Sequence, residues 1–336
     1  MKKKNSYIEL QRFICCTLIF MYHTGLCENA WIATEFFFVL AGYFLYKTSF
    51  KEISIDKILL NKVKSVFPYT TVTILGMYVL NIVVKKLGFH DILRFSTRIL
   101  GDIFLLNGTG FIPKNLVVSE NYLIEVMPCS WLWFLTSMFF CMPIVLYLFR
   151  KHRDKIMWTS SLFALSLYGV LLSQHDTING FQSFYTVLFC NIRAMAGLLL
   201  GAFVYILKDK ILEYNEKANK SALFFIAEIV MFVGFIGLCF TEIPSKETLQ
   251  IPLIVLMLAV SFSGVTVTSK LDNKVINFLG SISLPVYVYH TLIYTLISVI
   301  NINTGLETGI IKAISYIATI AVSSISVIVV GKIAKK

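Results

Sequence analysis

The chain has 336 residues, of which 57% are hydrophobic and 15% charged, with a mean hydropathy of +0.76. A soluble globular domain carries about 25% charged residues, so this composition excludes one and indicates a chain solvated largely by lipid. The net charge of +11 does not point to nucleic acid, because the positive residues cluster between apolar segments, as membrane topology requires.

Met1-Lys2-Lys3-Lys4 and the apolar run that follows have the outline of a secretory leader. Arg12 interrupts the run, no small-residue cleavage site follows, and a second apolar segment begins at once, so it reads as an uncleaved first span. A span needs about 20 mostly apolar residues. Ten are read along the chain, at 7–26, 31–46, 67–84, 131–149, 157–173, 183–207, 221–240, 250–267, 279–300 and 309–331. The fold expected is therefore all-α: a polytopic integral membrane helical bundle of about ten transmembrane helices, with residues 1–336 as a single domain.

Of the 30 Lys and Arg, the loops that alternate with these spans on the outward side hold Lys85, Lys86, Arg94, Arg98, Lys114 and Lys246. Three more, Arg12, Arg193 and Lys312, fall within spans, and the rest lie on the inward side. That bias is what the positive-inside rule requires, and it predicts both termini in the cytoplasm. The longest break, about 87–130, then lies outside. Its first half, from Phe89 to Leu106, mixes apolar and charged positions at near-helical spacing. Such a segment lies on the membrane surface, covers a site, or merely links two spans. The seven cysteines show no metal-ligand spacing. Only Cys27 and Cys129 fall in outward loops, where a bridge between them is the one candidate disulfide.

Ionisable side chains at bilayer depth are costly and normally face a protein interior or a water-filled cavity. Arg12 and His23 lie in the first span as Arg12-x10-His23. At about 100° per residue they return to within roughly 20° of each other, about 16 Å apart along the axis. Glu9, Cys16 and Ile19 share the stripe. Taken singly, Arg12 also fits a snorkelling or Glu9-paired arginine, and His23 a histidine bonded to a neighbouring helix. Glu35 follows a tight reversal at Cys27 to Ala30 and reaches the depth of His23. A carboxylate beside an imidazole fixes its tautomer and raises its basicity, which suits a general base. The competing reading is that Glu35 neutralises another buried charge such as Arg193.

Arg193 falls mid-span and needs an anion, from protein or ligand, while Ala194, Ala196, Gly197 and Gly201 around it permit close helix approach. Tyr287 and His290 share a face beyond Pro285, which frees a backbone carbonyl. They form a structural polar cluster or part of a site. Glu228 is a lone intramembrane acid with no partner visible in the sequence. Trp131 and Trp133 sit at the edge of the fourth span, as an aromatic belt or as sugar-stacking rings.

Together these pieces resemble the acyltransferase-3 family, integral membrane acyltransferases that modify cell-surface and secreted glycans. The resemblance covers nearly the whole chain. It rests on Arg12-x10-His23, on Glu35-Phe36-Phe37-Phe38-Val39-Leu40-Ala41-Gly42-Tyr43, and on Lys62-Val63-Lys64 with Pro68-Tyr69. Trp131-Leu132-Trp133-Phe134-Leu135, the stretch from Arg193 to Gly201, and Ser283-Leu284-Pro285-Val286-Tyr287 with His290 complete it. The chain departs from the family pattern at Ala41, where Ser is frequent, and at Lys62 and Lys64, where arginines are usual; lysine supplies only a point charge.

The resemblance implies a cytoplasmic acetyl-CoA donor with phosphates held by Arg12, Lys62 and Lys64, and no metal. Its acceptor would be a hydroxyl of a cell-surface or exported glycan, or of a lipid-linked sugar, handled in the plasma membrane. His23, oriented by Glu35, would act as general base or as a covalent acyl carrier. Arg193 or His290 would stabilise the oxyanion, with Tyr287 and Trp133 toward the substrate. Two other readings share the same residues: a carrier or exporter of a polysaccharide, sugar or amino acid, and a scaffold within a polysaccharide synthase complex.

Overall fold

The structure, a computed structural model, describes residues 5–106, 115–119, 122–125, 129–152, 156–175, 177–179, 183–184, 187–301 and 305–333. Helix α1 (Ser6–His23) starts where the Asn5 side chain accepts from the N–H groups of Tyr7 and Ile8, an N-cap that satisfies two otherwise unpaired donors. It stops at Thr24, and Gly25 follows with φ +67°, a left-handed conformation that only glycine adopts without strain. A single 3-10 turn, Ala30–Ile32, then leads into α2 (Ala33–Ser49).

After these come α3 (Ile55–Lys85), α4 (Phe89–Ile103), α5 (Trp133–Lys151), α6 (Ile156–His175) and α7 (Phe189–Ala218). The chain closes with α8 (Ser221–Cys239), α9 (Glu247–Ser263), α10 (Lys274–Asn301) and α11 (Thr308–Ile333). Among the described residues six helices, α3, α5, α7, α8, α10 and α11, are long and apolar enough to cross a membrane, and α9 is a shorter apolar helix. The outward faces of α8 and α11 expose Leu223, Ile226, Val230, Val233, Ile317 and Ile325. Helices apolar on their exposed side suit lipid as the solvent.

Two expected spans start elsewhere, and the long break holds strands. Helix α3 begins at Ile55 rather than at 67, so Lys57, Lys62 and Lys64 ride on it; Ser54 caps its first turn. The span read from 183 becomes a short antiparallel pair, β3 (Ser183–Phe184) with β4 (Val187–Leu188), and the helix starts only at Phe189. In the 87–130 break, β1 (Asn115–Ser119) pairs antiparallel with β2 (Tyr122–Glu125). The fold is thus helical with two small ladders, because segments rich in β-branched and aromatic residues pair as strands once they leave a span. Helix α4 forms where the near-helical spacing placed one. Tyr78 on α3 binds the Ile92 carbonyl and Ser96, while Phe89, Leu93, Leu100 and Phe104 stay exposed.

Helix α7 packs on α2, α5, α6 and α9, whereas α1 packs on α10, which also meets α3 and α11. The α2–α7 crossing depends on two glycines. A Cβ on Gly42 would collide with the backbone of Leu198, and one on Gly201 with the backbone of Gly42 and Tyr43. Backbone cannot yield as a flexible side chain can, so Gly201→Val is expected to destabilise by at least the roughly 1–3 kcal/mol typical of overpacking. Thermal unfolding of the detergent-solubilised protein checks this; an unchanged melting temperature would contradict the crossing.

Candidate active site

The stripe read on α1 is realised as the shared wall of two cavities. Arg12 and Cys16 line the first, of about 330 Å³. Ile19, Tyr22 and His23 line the second, of about 350 Å³. One helix face thus runs from a guanidinium to an imidazole, past both chambers, over about 16 Å of helical rise.

The first cavity is mostly apolar, with Phe37, Leu40, Phe134, Leu135, Met138 and Phe139 in its walls, and its cations are Arg12 and Lys62. Arg12 Nη1 donates to Glu9 Oε2 at 2.7 Å, and the guanidinium side chain keeps 29% of its surface exposed. Glu9 fits against α10 because residue 280 is glycine; a Cβ there would overlap its side chain. Lys62 lines this cavity and Lys64 does not. Two positions apart on a helix, their side chains diverge by about 200°.

His23 is exposed into the second cavity, whose other walls include Trp31, Thr34, Trp131, Trp133 and Asn179. The expected His23–Glu35 pair is not formed. Glu35 Oε1 accepts from Arg193 Nε at 2.5 Å and Oε2 from the Tyr168 hydroxyl at 2.5 Å, so both carboxylate oxygens are engaged elsewhere. The physical reason is the desolvation cost of a buried guanidinium, which draws in the nearest carboxylate. Arg193 and Glu35 are 1% and 0% exposed.

Arg193 is held by further contacts around the second cavity. Its guanidinium lies 5.0 Å from the ring centroids of both Trp31 and Trp133, and Nη2 donates to Thr34 Oγ1 at 2.7 Å. Cation–π contact of this kind fixes two indoles at once. Glu35 and Arg193 therefore brace the wall of the second cavity from behind, and Trp133 is among the residues that line it. Trp31, Thr34 and Tyr168 were missed at the sequence level. Trp31 and Tyr168 both fall within expected spans, at 31–46 and 157–173, where an aromatic ring reads as lipid-facing or packing surface; only the phenol hydroxyl in a largely apolar run signals a partner.

Tyr287 lines the first cavity, and its hydroxyl donates to the Trp131 carbonyl. The Trp131 indole N–H returns a bond to the Val288 carbonyl at 3.2 Å. Since Trp131 lines the second cavity, this reciprocal clamp lies in the wall between the two chambers. His290 is 1% exposed, and its ring centroid lies 4.9 Å from that of His23.

Elsewhere, Glu228 accepts from Ser261 Oγ and Thr268 Oγ1, both at 2.5 Å, partners from the far end of α9 and the turn beyond. All seven cysteines are buried, and Cys27 Sγ contacts the Cys239 carbonyl at 3.0 Å, so Cys27 is not bridged to Cys129. Among the described residues, no group of three His, Cys, Asp or Glu could hold a metal ion.

The fold is an apolar helical bundle with two chambers along one helix, an imidazole lining one and cations the other, which is the architecture of a helical membrane protein. The model of the acyltransferase-3 family, described as an acyltransferase domain, matches residues 5–331, and the chain belongs to that family of membrane acyltransferases. Comparisons with curated proteins and with solved structures gave no match.

Proposed function

We propose that this protein transfers an acetyl group from cytoplasmic acetyl-CoA to a hydroxyl of a cell-surface or exported glycan, within the plasma membrane. Ten of its helices span the bilayer in this reading, with both termini in the cytoplasm, as the distribution of Lys and Arg favours. The single observation that carries the proposal is the α1 face, on which Arg12 borders one chamber and His23 the next. CoA phosphates would meet Arg12 and Lys62 at the first chamber, and the apolar walls there suit the pantetheine arm. The acceptor sugar would stack on Trp31, Trp131 or Trp133 in the second. A ring nitrogen of His23 takes the hydroxyl proton as that oxygen attacks the thioester carbonyl; the C–S bond then breaks, and the leaving thiolate takes up the proton.

The test compares envelope glycans from cells with and without the protein for an alkali-labile acetyl ester, and follows labelled acetyl-CoA in isolated membranes. Appearance of the ester supports the proposal. Uptake or efflux of a sugar without any ester would replace it with the carrier reading. Arg12→Ala is expected to raise the KM for acetyl-CoA about 10- to 100-fold, the equivalent of one charged hydrogen bond of roughly 1.5–3 kcal/mol. Initial rates across donor concentrations check this; an unchanged KM would remove Arg12 from the donor site.

A further inference from the structure

One polar atom beside the candidate base has no hydrogen-bond partner among the described residues. His290 Nδ1 lies 2.6 Å from the Tyr287 carbonyl oxygen. A carbonyl only accepts, so Nδ1 carries the hydrogen and the neutral ring bears its lone pair on Nε2. That Nε2 is buried and makes no hydrogen bond among the described residues, and a buried acceptor left unpaired is destabilising.

The rings around it narrow the choice of donor. Phe20, at 6.5 Å between centroids, has no polar hydrogen. Trp131, at 6.3 Å, spends its indole N–H on the Val288 carbonyl. Tyr287, at 6.0 Å, spends its hydroxyl on the Trp131 carbonyl. His23 remains, closer than any of these, at 4.9 Å with the two rings tilted by 40°. An N–H···N bond of about 3 Å between imidazoles needs centroids about 5 Å apart. His23 is the last residue of α1 and is exposed to the cavity, so its ring has room to turn.

We propose that His290 is the positioning residue for His23, taking the place that Glu35 does not fill. One ring N–H of His23 donates to His290 Nε2, which leaves the other nitrogen unprotonated and directed at the second cavity. This is the logic of a base held by a third group, with a neutral imidazole in place of a carboxylate. When His23 accepts the acceptor's proton, the same bond stabilises the imidazolium until the proton passes to the leaving thiolate. This role rests on the acyltransferase reading above.

The experiment uses His290→Phe, which removes the acceptor atom, and His290→Gln, whose amide oxygen restores one near the Nε2 position. His290→Met is the acceptor-free variant should phenylalanine not fit. In isolated membranes, His290→Phe is expected to lower the maximal acetyl-transfer rate about 100-fold, and His290→Gln less than about 10-fold. The KM for acetyl-CoA should stay within about twofold in both. Equal impairment of the two variants, or full activity in His290→Phe, would overturn the proposal.

A second readout needs no transfer at all: the rate at which diethyl pyrocarbonate modifies His23, followed by mass spectrometry without acetyl-CoA. It should slow several-fold in His290→Phe and recover in His290→Gln, because an N–H acceptor makes the opposite nitrogen more nucleophilic. Equal labelling rates in all proteins would sink the pairing. A wild-type protein that transfers no acetyl group but shows this labelling pattern would retire the acyltransferase reading and leave the histidine pair standing.

Discussion

His23→Ala is expected to insert and fold as the native protein does, and to lose acyl transfer by about 10²- to 10⁴-fold, the usual contribution of a positioned general base. The folding half follows from exposure: the imidazole borders a cavity at the end of α1, so its loss opens no new void in the packed core. The activity half follows from position, since it is the imidazole that lines the second chamber, beside the three indoles. Size-exclusion behaviour and melting temperature report the first, and labelled acetyl transfer the second. A well-folded His23→Ala protein with native activity would remove the general-base role. If His23 instead carries the acyl group covalently, rapid quenching of the native protein with labelled donor would leave label on this residue.

Glu35→Gln and Arg193→Met are each expected to destabilise by roughly 3–5 kcal/mol, because either change leaves one buried charge uncompensated. The pair is sealed, with its partners at 1% and 0% exposure and a 2.5 Å contact, so solvent offers neither survivor relief. The double variant should lose clearly less than the sum of the singles, giving a coupling energy of about 0.5–3 kcal/mol or more. Unfolding of the purified protein in detergent measures all three. Additive losses would mean the two groups act independently. Activity should follow stability here rather than shift its pH optimum, because Glu35 holds Trp31 and Trp133 through Arg193 and does not touch His23.

The first of these predictions rests on what was legible in the sequence, the second on what was not. The Arg12 to His23 stripe was legible because helical periodicity is local: once α1 is a helix, its angular arithmetic follows whatever surrounds it. The helix order was legible for a similar reason, since apolar length and positive flanks are properties of each segment. Less was visible where a strand and a helix compete over a few residues, as at Ser183 to Leu188. The start of α3 was obscured because lysines were taken to end a span, when they only end its passage through lipid.

Partner choice was the part beyond reach. In the sequence Glu35 reaches the depth of His23, and nothing local to it points to Arg193, more than 150 residues further along the chain. The competing reading, that it neutralises Arg193, proved to be the right one. Glu228 and His290 present the same problem: their neighbours come from Ser261, Thr268 and His23, on other elements. By itself the sequence determined a membrane-solvated helical chain and one helix face carrying both Arg12 and His23, because both depend on composition and on spacing within a helix. Only the tertiary structure decided which charges meet, since a desolvated guanidinium takes whichever carboxylate the packing of α2 on α7 brings within reach. That packing is itself set by glycines whose partner backbones lie far away in the chain.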